Sequence, residues 1–295
     1  MKYEEVLKKW LADQRTYQKY STYTCYANIV ENHLLPHLGL LEEVTTDIVQ
    51  DLALRLLESG NRVTGGGLSQ SFVRDILTVI KITCPHVGEI RLPYEPPKEI
   101  EIFNQSEMVA LVNHLQSSQT PRSVGILLVI HTGIRIGELC ALQWSDVDLT
   151  SRVLHIRKTI IRTYTKSDGS RLSITPPKSK ASIRTIPLNS WICHLLSLQQ
   201  KGDDCYIITG NEKPQEPGKY RIWYNRQLRQ LGIPHRKFHC LRHTFATNCI
   251  ACGCDYKSLS QLLGHANVTT TMDLYVHPQM ELKRQCVEHL AGLYV

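Results

Sequence analysis

The chain has 295 residues, 42% of them hydrophobic and 21% charged, with a formal net charge of +7. That length accommodates two domains of ordinary size, and that composition excludes a disordered or fibrous chain. The charge is unevenly divided: residues 1–97 hold ten basic and twelve acidic side chains, residues 98–295 hold 24 and 15, so any polyanion belongs to the second part.

The opening Met1-Lys2-Tyr3-Glu4-Glu5, leading into Lys8-Lys9-Trp10, is too charged for a signal-peptide core. The longest apolar run, around Val124–Ile130, is far too short to span a bilayer. Ten cysteines without a secretion signal fit reduced thiols better than a disulfide framework, so a cytoplasmic protein is expected, away from membranes. Cys249, Cys252 and Cys254 are tightly spaced, but a zinc site needs four workable ligands. They punctuate a helical pattern that stops at Gly253, and no metal is expected.

Apolar residues at helical spacing predict a first helix from Tyr3 to Leu11. Ser21 or Thr22 caps a second, running through Tyr26, Ile29, Val30 and Leu34 until Pro36 and Gly39 end it. Thr46-Asp47 opens a third, with Ile48, Val49, Leu52 and Leu56 on one side; after Gly65-Gly66-Gly67, Ser69 caps a fourth carrying Phe72, Val73, Ile76 and Ile80. Residues 1–82 therefore read as a four-helix domain. Residues 83–99, with Pro85, Pro93, Pro96 and Pro97, read as a linker, and residues 100–295 as a second domain. There, Asn104 or Ser106 starts a helix through Met108, Leu111 and Leu115, and a buried helix follows at about 123–132.

Arg135 follows in Thr132-Gly133-Ile134-Arg135-Ile136-Gly137-Glu138-Leu139. Alone, it reads equally as a surface arginine paired with Glu138 or as a rigid fork for two phosphate oxygens. Residues 153–157, 159–164 and 183–187 have strand composition. Between Arg152 and Arg184 stand nine basic residues and a single acid, Asp168, which suits either a basic hairpin facing phosphates or a charge-guarded sheet edge. Farther on, His239 and Arg242 are three apart at a helix start, so both project from one face, while His243 points elsewhere and packs or caps. Gly264 ends the next helix, His265 sits on the following loop, and Thr269, Thr270 or Thr271 caps a short helix carrying Tyr275.

Taken in order, the Arg135 box, the turn Pro177-Lys178-Ser179-Lys180, the run His239-Cys240-Leu241-Arg242-His243, Leu263-Gly264-His265 and Leu274-Tyr275-Val276-His277 resemble the tyrosine recombinase (phage-integrase) family. The likeness is strongest from residue 125 to 278. The first domain, with its Asn32-His33-Leu34-Leu35-Pro36-His37-Leu38-Gly39 turn, more loosely resembles that family's core-binding domain. The resemblance implies a mainly α chain with a small antiparallel sheet: a helical N-terminal DNA-binding domain and an α+β catalytic domain. It also implies site-specific recombination of double-stranded DNA through a 3′-phosphotyrosyl intermediate, without cofactor. Arg135 and Arg242 would clamp the phosphate, His265 would add a hydrogen bond, and Tyr275 would be the nucleophile with His239 as its base. Lys178 would protonate the leaving oxygen; Lys180 is its rival, because hairpin register is hard to read from sequence.

As partners the resemblance implies paired recombination sites and a homotetramer on DNA, with a monomer or weak dimer without it, and it is compatible with accessory DNA-bending proteins. The segment after Tyr275, with Met280, Leu282, Val287, Leu290 and Leu293 among Lys283, Arg284 and Glu288, would dock on a neighbouring protomer. A short linker and no extra arm-binding segment point to a mobile-element integrase or a Xer-like enzyme. The other readings are a catalytically silent DNA-binding regulator, which should have lost one of the six site residues, and a type IB topoisomerase-like enzyme, which shares the chemistry.

Overall fold

The computed structural model describes residues 2–96, 100–177, 179–275, 284, 287 and 288. The chain divides into two compact units, one of residues 1–98 with 163–171 and one of 99–162 with 172–295.

The first unit contains α1 (Tyr3–Tyr17), α2 (Tyr20–Ile29), α3 (Leu35–Leu38), α4 (Thr46–Ser59) and α5 (Gln70–Thr83). Leu7, Leu34, Leu52, Ile76 and Ile80, each at most 1% exposed, form the centre of its core. Thr45 and Ser69 cap α4 and α5 by accepting from Ile48 N–H and Phe72 N–H, satisfying amides that the first turn leaves orphaned. The expected cap of α2 is corrected: the helix starts at Tyr20 after an extended Lys19, and Ser21 and Thr22 lie inside its first turn. Nor does Pro36 end the helix. Proline supplies no N–H, and just before it the chain widens into a π-helical turn, Val30–Leu34, in which Leu35 N–H reaches the Val30 carbonyl. A last short stretch, α3, then runs to Gly39. Part of the expected linker packs on this unit: Cys84 and Val87 are buried in the same core, and Gln50 both accepts from Arg91 N–H and donates to its carbonyl.

The second unit begins with α6 (Gln105–Ser118), α7 (Pro121–Thr132) and α8 (Ile136–Ala141). Asn104 and Glu107 close α6 with a capping box. Eight of the twelve α7 residues are buried, which makes this helix the centre of the larger core. Strands follow: β1 (Val147–Asp148), β2 (Val153–Ile156), β3 (Thr159–Thr165), β4 (Gly169–Thr175) and β5 (Arg184–Pro187). They form two sheets where one was expected. β1, β2 and β5 make an antiparallel sheet with Leu154 opposite Ile186 and Ile156 opposite Arg184, whereas β3 pairs only with β4. The β3–β4 turn groups with the first unit, in which Tyr20 Oη donates to Asp168 at 2.8 Å.

The remaining helices are α9 (Ser190–Ser197), α10 (Pro217–Gln230), α11 (His239–Ala251), α12 (Tyr256–Leu263) and α13 (Val268–Tyr275). The sequence reading identified neither β4, α9 nor α10. Their signals exist: Asn189 caps α9 by accepting from Ile192 N–H, and Pro217 stands at the start of α10. In α10, Tyr220, Tyr224 and Leu228 are buried at a spacing of four, but Lys219, Arg221, Arg226 and Arg229 around them dilute the apolar pattern. The cysteine cluster divides as the helical pattern suggested. Cys249 lies in α11, and Gly253 follows that helix at φ +85°.

Candidate active site

The C-terminal end of α12 organises the site. A helix end leaves its last carbonyls unpaired and carries partial negative charge, so it attracts cations. Three arginines from three other elements take those carbonyls in succession. Arg184 Nε donates to Leu262 at 2.6 Å, Arg242 Nη2 to Leu263 at 2.6 Å, and Arg135 Nη2 to Gly264 at 3.4 Å. Gly264 ends α12 at φ +68°, a conformation open to glycine at little cost, and this turns the chain into His265.

Each arginine is also fixed from a second side. Arg242, from α11, is 1% exposed and donates Nη1 to the Gly133 carbonyl at 2.8 Å, so it ties the end of α7 to the end of α12. Gly133 itself sits at φ +64°, where an added Cβ would lie 2.4 Å from the Phe245 ring. Arg135, just before α8, is half-buried. Its own N–H and its Nη1 donate to the Glu138 carboxylate at 2.9 and 2.8 Å. Glu138 is 3% exposed and receives a second, bidentate contact from Arg184 at 2.9 and 3.1 Å. Burial pushes the Glu138 carboxyl up, but hydrogen bonds from Arg184 and the charges of Arg184 and Arg135 outweigh it and hold the group below its ordinary value.

Two histidines lie in the field of these cations. The His239 ring opens on the surface at the start of α11 and is packed edge-on by His243, with ring centres 4.6 Å apart. Crowding by protein, then the charges of His243, Arg242 and Arg135, lower its pKa to about 4. His265 is lowered to about 4 by burial, then by Arg242, Arg135 and Arg184. Its Nδ1 lies 2.8 Å from Thr271 Oγ1 on α13, and a neutral ring accepting that hydroxyl proton keeps its own proton on Nε2. The expected cap of α13 is corrected: Asn267 Oδ1 accepts from Thr269 N–H at 3.0 Å, and the three threonines lie within the helix.

These depressed values fix a sign for acid stability. With folded pKa near 4 and an ordinary value of 6.5, the unfolded chain binds more protons between those pH values, and stability is lost as pH falls through that window. Thermal melting should therefore drop from pH 7 to pH 5, and His265→Asn should flatten the drop. An unchanged slope in that variant would refute the assignment.

Arg135, His239, Arg242 and His265 are thus brought together, and α13, tied to His265 through Thr271, ends on Tyr275. The side chain of Tyr275, Lys178 and the segment 276–283 lie outside the described residues. Lys180 is exposed on a short turn, Lys180–Ser182. Sequence reasoning missed Arg184. It shares the inward face of β5 with Ile186, two residues on, and that parity was the available signal.

Beside Arg135, His239 and Arg242 opens a cleft of about 880 Å³ whose walls include Arg162, Arg221 and Lys237. Among its described lining residues Glu216 is the sole carboxylate, and it pairs with Arg162 at 2.6 Å. Such a cleft attracts a polyanion.

The chain is 30% identical over 236 residues to a tyrosine recombinase XerC-like protein of Caldanaerobacter subterraneus subsp. tengcongensis, covering 73% of this chain and 59% of the relative's length. It is 24% identical over 277 residues to the ICEBs1 integrase of Bacillus subtilis, covering 86% and 72%. Among solved structures, the Tn1549 transposon integrase in complex with transposon right end DNA superposes with a TM-score of 0.76 at 21% identity, covering 99% of this chain and all of that one. A lambda integrase tetramer bound to a Holliday junction superposes at 0.62 with 16% identity, over 94% and 79%. These two likenesses establish the fold, mainly helical with small antiparallel sheets. A phage integrase N-terminal SAM-like domain matches residues 2–54. The Phage integrase family itself matches residues 101–281, and the chain belongs to that family.

Proposed function

We propose that the protein is a tyrosine site-specific recombinase, which cleaves and rejoins double-stranded DNA through a 3′-phosphotyrosyl intermediate. The observation that carries this reading is the convergence of Arg135, Arg242, His239 and His265 around the end of α12, next to the helix that ends on Tyr275. Two guanidiniums fixed before substrate arrives neutralise the non-bridging oxygens of a phosphodiester without reorganising. His265 adds a neutral donor.

Tyr275 then attacks phosphorus. The P–O bond to the phenol forms, the P–O5′ bond breaks, the phenolic proton passes to His239, and Lys178 protonates the departing 5′ oxygen. In the free protein crowding by the surrounding protein, and after it the nearby cations, hold His239 neutral, as a proton acceptor must be. A bound phosphate offsets those cations and raises the basicity of the ring. The released 5′ hydroxyl, or that of a partner strand, reverses the step, so bond energy is conserved for religation.

The cleft beside the site receives the duplex, with Arg221 and Lys237 on its backbone. In this reading residues 1–82 form a core-binding domain and 100–295 the catalytic domain, joined through 83–99. Four protomers act on two paired sites, as the tetramer and DNA complexes of the structural relatives suggest, and the enzyme works in the cytoplasm.

The test is a nicked suicide substrate in EDTA, with Tyr275 covalently trapped on DNA as the expected product; absence of any adduct would sink the proposal. The same substrate identifies the acid. A 5′-bridging phosphorothioate, whose sulfur leaves without a proton, should restore cleavage by Lys178→Ala. Rescue of Lys180→Ala alone would transfer the role to Lys180.

A further inference from the structure

We infer that Arg184 is a positioning residue for cleavage: through the buried Glu138 carboxylate and the Leu262 carbonyl it sets both the fork of Arg135 and the turn that carries His265. This rests on the recombinase reading of the site.

Arg184 has a side chain only 5% exposed, so it is not an arginine held out toward DNA. All three of its nitrogens are engaged, with Glu138 at 2.9 and 3.1 Å, Leu262 O at 2.6 Å and Ser182 O at 3.1 Å. The same Glu138 carboxylate holds Arg135 at its backbone N–H and at Nη1. Arg135 alone is half-buried and free to swing; a carboxylate that is itself immobile stops it. The planar fork of arginine meets both carboxylate oxygens at once, which a lysine cannot. Contact with the end of α12 adds the second function. An added Cβ at Gly264 would lie 3.0 Å from Arg184 Cδ, so the turn before His265 is packed directly against this side chain.

The arrangement makes a distinct prediction. The charged groups holding Glu138 ionised are Arg184 from β5 and Arg135 at the start of α8; His265 lies farther out, in the field of both. Arg184→Met removes the larger influence, so burial moves the Glu138 carboxyl up and the carboxylate grips Arg135 less firmly as pH falls. Cleavage should fall by about 100-fold at pH 7, the scale of a 1 Å misplacement, and recover at least tenfold relative to wild type as pH rises to 9. Half-site DNA binding should change by less than about threefold, because the loss is one of alignment and not of attraction.

Arg184→Lys should show a smaller loss. The double variant Glu138→Gln/Arg184→Met replaces a buried ion pair with neutral groups, which proteins commonly tolerate. It should fold, cleave no more slowly than Arg184→Met, and lack the alkaline recovery. If Arg184→Met does not fold, Arg184→Lys and the double variant decide. Wild-type cleavage by both would overturn the inference. So would a pH-independent loss that simply tracks lower melting temperature and weaker binding. Failure of the wild type to form any adduct would instead discard the recombinase reading.

Discussion

Tyr275→Phe should bind DNA as the wild type does and form no covalent adduct. The substitution keeps the ring and removes one oxygen, so every contact of the arginine clamp survives while the attacking atom is gone. Among the described residues, Tyr256 is not placed to replace it. Tyr256 is the first residue of α12, whereas the three arginines hold the last carbonyls of that helix, and eight helical residues span about 12 Å. The measurement is a denaturing gel of protein trapped on a suicide substrate, beside a native gel of binding. An adduct formed by Tyr275→Phe would move the nucleophile elsewhere.

Arg135→Ala and Arg242→Ala should lose cleavage alike and stability very differently. Each removes one preorganised donor from the transition state, worth about 3 kcal/mol, or two to three orders of magnitude in rate. Arg242 is almost wholly buried and satisfies the carbonyls of Gly133 and Leu263. Its loss leaves both acceptors short of a partner, at about 1–3 kcal/mol each, and melting temperature should fall sharply. Arg135 is half-buried, and Glu138 keeps Arg184 when Arg135 is gone. That variant should melt within a few degrees of wild type while its cleavage collapses. Single-turnover cleavage and calorimetry on both variants check this pair of outcomes; fast cleavage by Arg135→Ala would remove it from the clamp.

Much of the helical framework was legible in the chain itself. The caps at Ser69 and Asn104, the buried run of α7 and the glycine stop at Gly264 are local devices: a side-chain oxygen finds an amide two or three residues away, and a positive φ excludes most side chains. Where a local rule met a competing one, the reading slipped. Pro36 widened the helix into a π turn instead of ending it, and the charged side chains of α10 hid its apolar stripe.

The sequence by itself offered the candidate residue types, arginines, histidines and a tyrosine, in an order that resembles that of the family. Only the tertiary structure decided how they are held. Nothing near Arg184 in the chain indicates that it reaches Glu138, 46 residues away, or that residues 262–264 offer their carbonyls to three arginines from separate elements. Those contacts exist because α12 ends inside the molecule. Its unpaired carbonyls had to be met by donors brought in by folding, and a helix end cut off from water recruits cations from wherever the chain passes.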